Sequence, residues 1–239
     1  MYSYSVTDTG MAREMNQDYC FAYDNPVGNL PNLYIVADGM GGHKAGEYAS
    51  RYTVERICAS VVRCKQTEPV EILKEAITRA NQILASESEQ DEEKAGMGTT
   101  LVIATIDNGH AFVANVGDSR LYHISDTIRQ VTKDHSLVQE MVRVGELNEE
   151  EAKDHMNKNI ITRAIGVSET VEPDFFEIDV KKKEQLLLCS DGLTNMVDDD
   201  EILDIIKSHK SLEEEAKALV TEANKNGGRD NITALLIEI

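Results

Sequence analysis

The residues of this chain best placed to do chemistry are aspartates at the ends of apolar, strand-like runs. Asp38 closes LYIVAD before Gly39, and Asp118 follows Val116-Gly117. Asp191 closes LLLCSD before Gly192, and Asp230 precedes the final apolar run in GGRDNIT. A carboxylate at a strand end lies at a sheet edge, where separate strands can converge on one point. Carboxylates crowded together repel and raise one another's pKa, so a cluster of them calls for cations. Oxygen ligands without His or Cys partners suit Mg²⁺, Mn²⁺ or Ca²⁺. Taken singly, each Asp-Gly pair reads more simply as a turn. Composition and spacing do not by themselves make the four converge.

The elements that must carry these residues are legible as alternating blocks. Leu33 to Ala37 reads as a strand ending at the Asp38-Gly39 turn signal. Ala45 to Cys64 and Val70 to Ala85 read as helices. In the second, Leu73, Ala76, Ile77, Ala80 and Leu84 recur at spacings of three and four, one buried stripe. The polar stretch Glu87 to Lys94 reads as a solvated loop after that helix. Leu101 to Ile106 and His110 to Val116 flank Asn108-Gly109, a hairpin signal. Further strands are expected at Leu121 to Ile124, Phe175 to Val180, Gln185 to Cys189 and Ile232 to Ile239. Helices are expected at Asp200 to Lys207 and Leu212 to Asn224, with Asp198, Asp199 and Asp200 at a cap and first turn. Neighbouring strands joined by short turns imply antiparallel sheets with helices outside.

The bulk numbers narrow the partners. The 239 residues are 41% apolar and 28% charged, enough for a sizeable core, and no linker-like segment divides them, so a single domain 1–239 is expected. Lys and Arg total 24 against 43 Asp and Glu, a net charge of -19 that repels nucleic acid and anionic membrane. None of the four cysteines forms a C-x-x-C pair, and Cys189 among leucines reads as a reduced, buried thiol. With no signal-peptide pattern and no apolar run near ~20 residues, a cytoplasmic location is the expectation; a monomer is expected as well.

Six segments then resemble, in order, the motifs of the PPM family, the type 2C protein phosphatases. Arg13 to Asp18 (REMNQD) is similar to R-x-x-N-(E/Q)-D, and Asp38 to Glu47 (DGMGGHKAGE) to D-G-M-G-G-H-x-x-G-E. Gly98-Thr99-Thr100, Asn115 to Arg120 (NVGDSR), Ser190 to Leu193 (SDGL) and Asp230 to Thr233 (DNIT) complete the set. The resemblance runs from residue 13 to 233, is strongest to compact bacterial members, and implies an α+β fold: a four-layer α-β-β-α sandwich of two central antiparallel sheets flanked by helix pairs. It also implies a serine/threonine phosphatase in which a metal-activated water attacks phosphorus without a phosphoenzyme. By position, Asp38 would bridge two Mn²⁺ or Mg²⁺ ions, with Asp191 and Asp230 on the first and the Gly39 carbonyl on the second. Asp18 would hold metal-bound water, and Asp118, with Asp191, a third and looser ion. Arg13 would bind the substrate phosphate through a two-pronged donor; without the motif it reads as a surface arginine pairing with Glu14 or Asp18. A bacterial serine/threonine kinase and its phosphoprotein targets would be the natural partners.

Two departures stand out. Gln17 occupies a place where many members carry Glu toward the second metal. Met40 follows Asp-Gly where some members place a proton-donating His, leaving His43 as the candidate acid, with a water on the third metal as its rival. Residues 137–159 match the family's variable flap, a cover beside the site or an ordinary surface excursion. Other phosphatase chemistries lack their marks, since there is no C-x5-R, D-x-H, G-x-S-x-G or complete P-loop. A non-catalytic PPM-fold module would be expected to lose metal aspartates or Arg13, and all are retained. A phosphatase for small phosphometabolites is the other alternative.

Overall fold

Runs such as LYIVA and LVIATI show no polar alternation, which is the mark of strands covered on both faces. The computed structural model describes residues 1–42, 44–153 and 155–239, so His43 lies outside the described residues. Its strands are β1 (Tyr2–Asp8), β2 (Asp18–Tyr23), β3 (Leu33–Met40), β4 (Gly98–Thr99), β5 (Leu101–Asp107), β6 (His110–Val116), β7 (Arg120–Ile124), β8 (Ile128–Gln130), β9 (Asp174–Asp179), β10 (Gln185–Cys189) and β11 (Ile232–Glu238). Its helices are α1 (Ala45–Arg63), α2 (Pro69–Gln90), α3 (Leu137–Arg143), α4 (Glu149–Lys153), α5 (Asp191–Thr194), α6 (Asp199–Ser208) and α7 (Leu212–Lys225). One antiparallel sheet has the order β1-β11-β10-β7-β8, and the other β2-β3-β5-β6-β9 with β4 beside the end of β3.

Alternate residues of each strand point to opposite layers. Tyr34, Val36, Val102 and Val113 of one sheet meet Leu186, Leu188, Leu235 and Ile237 of the other. Leu33, Ile35, Leu101 and Ile103 face α1 and α2 through Ile57, Val61, Leu73 and Ile77. Leu187, Cys189 and Leu236 face α6 and α7 through Ile202, Leu219 and Ala223. The layers therefore run helices, sheet, sheet, helices, the four-layer sandwich that the resemblance implied. Each fully buried Leu or Ile contributes about 1.5–3 kcal/mol, so these three clusters hold the strand ends in place. Cys189 is one of the buried residues, and burial pushes its thiol up to about 12.

Several local readings change. Asp38-Gly39 is not a turn: Asp38 pairs with Asp18 of β2 and Gly39 with Thr99 of β4, so β3 continues through both. Glu87 to Gln90 remain helical, ending α2 well past Ala85, and a short 3₁₀ turn follows at Glu92–Lys94. There the Lys94 ammonium lies over the Tyr48 ring at 4.3 Å and 3.5 Å from Glu87, which ties the stretch to α1. Asp198 sits at the N-cap of α6 but makes no side-chain capping bond; Asp199 accepts from the Tyr122 hydroxyl at 2.9 Å instead. No helix is long and apolar enough to cross a membrane among the described residues.

The excursion 137–159 leaves and returns at one point. Ser136 bridges to Ile161, and the Thr162 N–H donates to the His135 carbonyl at 2.7 Å. Ser136 caps α3 by accepting from the Gln139 N–H, and Asn148 and Glu151 form a reciprocal capping box at 2.9 Å each way.

Candidate metal centre and phosphate site

Strand register decides where the aspartates go. Asp18 and Asp38 are direct partners at the end of the β2-β3 pair. In the other sheet, Cys189 pairs with both Arg120 and Ala234, so Asp118, Asp191 and Asp230 all emerge at one edge. Five carboxylates from separate segments thus share one end of the sandwich.

Their polar surroundings are specific. Asp18 Oδ2 accepts from Ser190 Oγ at 2.6 Å and Thr233 Oγ1 at 2.7 Å, both from the opposite sheet. The Asp38 N–H donates to Thr100 Oγ1 at 3.0 Å, and its carbonyl accepts from the Thr100 N–H and Thr99 Oγ1 at 2.8 Å. Asn195 donates to Asp191 Oδ2 at 2.9 Å. The Gly39 N–H donates to the Gln17 carbonyl at 3.1 Å, which also accepts from Ser50 Oγ at 2.6 Å. Gly39 packs so closely on α1 that a Cβ there would lie 2.0 Å from the Gly46 carbonyl oxygen.

The electrostatics report crowding. Burial first, and then Asp191 and Asp230, push Asp18 up to about 7, while Ser190 and Thr233 pull it down. Asp38 is raised well above the usual carboxylate range by burial and by Asp18, Asp191, Asp118 and Asp230. Burial, Asp191 and Asp134 push Asp118 up to about 8; burial and Asp230 push Asp191 up to about 6. Asp18 Oδ1 and Asp191 Oδ1 are buried with no protein partner. Orphaned anionic oxygens among mutually repelling carboxylates, with no His or Cys donor in the set, fit hard divalent cations. Among the described residues no three His, Cys, Asp or Glu side chains form a metal cage as they stand. Mg²⁺-like ions keep several waters and need only one or two carboxylates each.

Arg13 is presented by a loop strapped to the entry of β11. The Met11 and Ala12 N–H groups donate to the Gly228 carbonyl at 2.7 and 3.1 Å. Asn231 Nδ2 donates to the Thr9 and Met15 carbonyls at 2.9 Å, and its Oδ1 accepts from the Gln17 N–H at 2.8 Å. Arg13 Nη2 lies 2.7 Å from Asp230 Oδ2, so its ion pair is with Asp230 rather than Glu14 or Asp18. Its side chain is about half exposed (51%), leaving guanidinium donors toward solvent.

Sequence reasoning singled out the acids but gave no role to Thr100, Ser190, Thr233 and Asn231, which hold them. Their signal was a polar residue at the end of a fully buried strand, where a hydroxyl or amide must find a partner.

The family profile described as protein phosphatase 2C matches residues 2–232. A serine/threonine phosphatase stp of Listeria welshimeri is 44% identical over 243 residues, covering 100% of this chain and 96% of the relative. The crystal structure of the serine/threonine phosphatase Stp1 from Staphylococcus aureus superposes with a TM-score of 0.92 at 36% identity, covering 99% of this chain and 94% of that one. A structure described as the catalytic domain of the serine threonine protein phosphatase PstP with two manganese ions gives a TM-score of 0.86 at 30% identity, covering 99% and 97%.

Proposed function

The chain belongs to the protein phosphatase 2C family, and from that premise we propose that it is a metal-dependent phosphatase transferring the phosphoryl group of phosphoserine and phosphothreonine in proteins directly to water. The observation that carries the reading is the convergence of five carboxylates beside an arginine, Asp18 and Asp118 buried and Asp38, Asp191 and Asp230 partly buried. Asp38, central among the five, would serve two cations, with Asp191 and Asp230 as further ligands of one and the Gly39 carbonyl of the other. Asp18, fixed by Ser190 and Thr233, has its Oδ1 left without a protein partner and would hold water of the cation shell. Asp118, with Asp191, would take a third, looser ion. Mn²⁺ or Mg²⁺, when bound, supplies Lewis acidity toward phosphoryl oxygens and water.

The chain's own groups do the positioning. Arg13 presents its fork at the rim, next to Asp230, and orients phosphate oxygens through charge-assisted hydrogen bonds. Thr100 and Thr99 fix the Asp38 backbone, so its carboxylate meets the charge it must balance without rearranging. His43, outside the described residues, stays the candidate donor to the leaving oxygen. The segment 137–159 is read as a flap covering the cleft of a single domain that works as a monomer in the cytoplasm. Phosphoproteins are the substrates, and a bacterial serine/threonine kinase and its targets are the partners proposed.

The test compares phosphoserine and phosphothreonine peptides with sugar phosphates in Mn²⁺. The peptides should be turned over with the higher kcat/KM. A preference for the sugar phosphates would replace this reading with a metabolite phosphatase, and no turnover of either would favour a non-catalytic module.

A further inference from the structure

His135 lies outside the carboxylate cluster, yet it is 4% exposed and joins three segments of the chain. Its N–H donates to the Gly117 carbonyl at 2.9 Å, and the Gly117 N–H donates back to His135 Nδ1 at 3.1 Å. Its carbonyl accepts from Thr162, where 137–159 returns to the body. Because Nδ1 accepts, the ring proton of the neutral imidazole sits on Nε2. Nε2 lies 3.3 Å from Asp174 Oδ2, and Asp174 Oδ1 accepts from Arg163 at 2.8 Å. Arg163 Nη1 also approaches Nε2 at 3.2 Å, a contact rather than a donation once the proton is there.

The Gly117 backbone has no slack on its other sides. Its φ is +105°, and a Cβ would lie 2.7 Å from the Thr100 side chain, the one whose hydroxyl fixes Asp38. Asn115 Nδ2 donates to the Gly117 carbonyl at 3.2 Å and to the Lys133 carbonyl at 3.1 Å. The next residue in the chain is Asp118. Where its carboxylate stands is therefore set by what grips Gly117.

We propose that His135 is a positioning residue that, through the Nδ1 bond to Gly117, holds Asp118 in register with the base of the 137–159 segment. Cation affinity at Asp118 and the seating of that segment then draw on one shared link. The proposal rests on the reading of Asp118 as a cation ligand. It does not involve Arg13 or the Asp18–Asp38 pair.

Two substitutions separate the two ring nitrogens. His135→Asn keeps an acceptor near the Nδ1 position and gives up Asp174. His135→Gln reaches toward Asp174 and gives up the acceptor for Gly117. Mn²⁺ binding is measured by calorimetry for the unaltered protein, both variants, Asp118→Asn, and the His135→Gln/Asp118→Asn pair. His135→Gln should weaken the loosest Mn²⁺ step about tenfold, the size of one buried hydrogen bond left unmade. His135→Asn should keep that step within about twofold, since its acceptor is retained. Asp118→Asn should remove the step, and adding His135→Gln to it should change the remaining steps no further, as for two residues in one linkage. Equal weakening by Asn and Gln, or an unchanged loosest step in Gln, overturns the positioning role. If His135→Gln does not fold, His135→Asn decides: loss of the loosest step in that variant overturns the proposal. Retention of every Mn²⁺ step in Asp118→Asn overturns the reading of Asp118 instead, and the proposal with it.

Discussion

At the floor of the cleft, the acids stand at strand ends whose register is fixed by packed sheets, and Asp18 is held in addition by hydrogen bonds from the opposite sheet. Asp18 faces Asp38 across a strand pair and accepts from Ser190 and Thr233, all within fully packed layers. The segment 137–159 is assembled the other way. Its helices are short, and its bonds are mostly local caps such as Asn148 with Glu151. Val144 and Met156 stand largely in solvent. The floor fixes charges that repel one another, so it needs long-range packing to keep them in place. The cover proposed for this segment needs the reverse, a low cost of local rearrangement.

That contrast can be broken in order of size. Asp38→Ala, Asp191→Ala and Asp230→Ala each remove one of the proposed anionic ligands from the floor. Each should lower kcat for a phosphoserine peptide about a thousandfold or more, because a cation's electrostatic stabilisation is worth several kcal/mol. Near-normal kcat at saturating Mn²⁺ in all three would show that the floor is not the site. Arg13→Ala acts at the rim. It should raise KM for phosphopeptide about ten- to a hundredfold, the loss of one charge-assisted contact, with a smaller effect on Mn²⁺ affinity. Unchanged kinetics would return Arg13 to a surface residue paired with Asp230.

The smallest effect belongs to the segment 137–159, the proposed flap. Asn148→Ala breaks its capping box and should cost α4 about 1 kcal/mol. Faster amide exchange confined to the segment around α4, with p-nitrophenyl phosphate turnover unchanged, is the expected pair of readings. A fall in global Tm of several degrees would mean that the flap shares the core's cooperativity and the contrast is wrong.

What the sequence made legible follows the same division. Strands buried on both faces, such as β3, β5 and β10, announce themselves as apolar runs. The edge strands β1 and β2 do not, because YSYSVTD and DYCFAY are only partly buried and mix polar with apolar residues. The Asp38-Gly39 turn signal misled because pairing with Asp18 and Thr99 carries the strand through it. The acids themselves were legible from motif and strand-end position. Their supports were not, since Thr100, Ser190 and Thr233 matter only through partners distant in sequence. His135 was invisible for the same reason: its bonds run to Gly117, Thr162 and Asp174.

The central claim is that the clustered acids form a cation site, and the change in Tm on adding Mn²⁺, followed against pH, tests it most directly. An unfolded Asp titrates near ~3.9, whereas in the folded chain Asp191, Asp18 and Asp118 are raised to about 6, 7 and 8. Between those limits the folded protein binds more protons than the unfolded one. Stability without cations therefore falls as pH rises through that window and levels above it. Cations need the ionised carboxylates, so their affinity rises across the same range. The Mn²⁺-induced rise in Tm should grow from pH 5 to pH 8 and vanish in Asp38→Asn. A rise that is flat with pH, or that survives intact in Asp38→Asn, would contradict the claim.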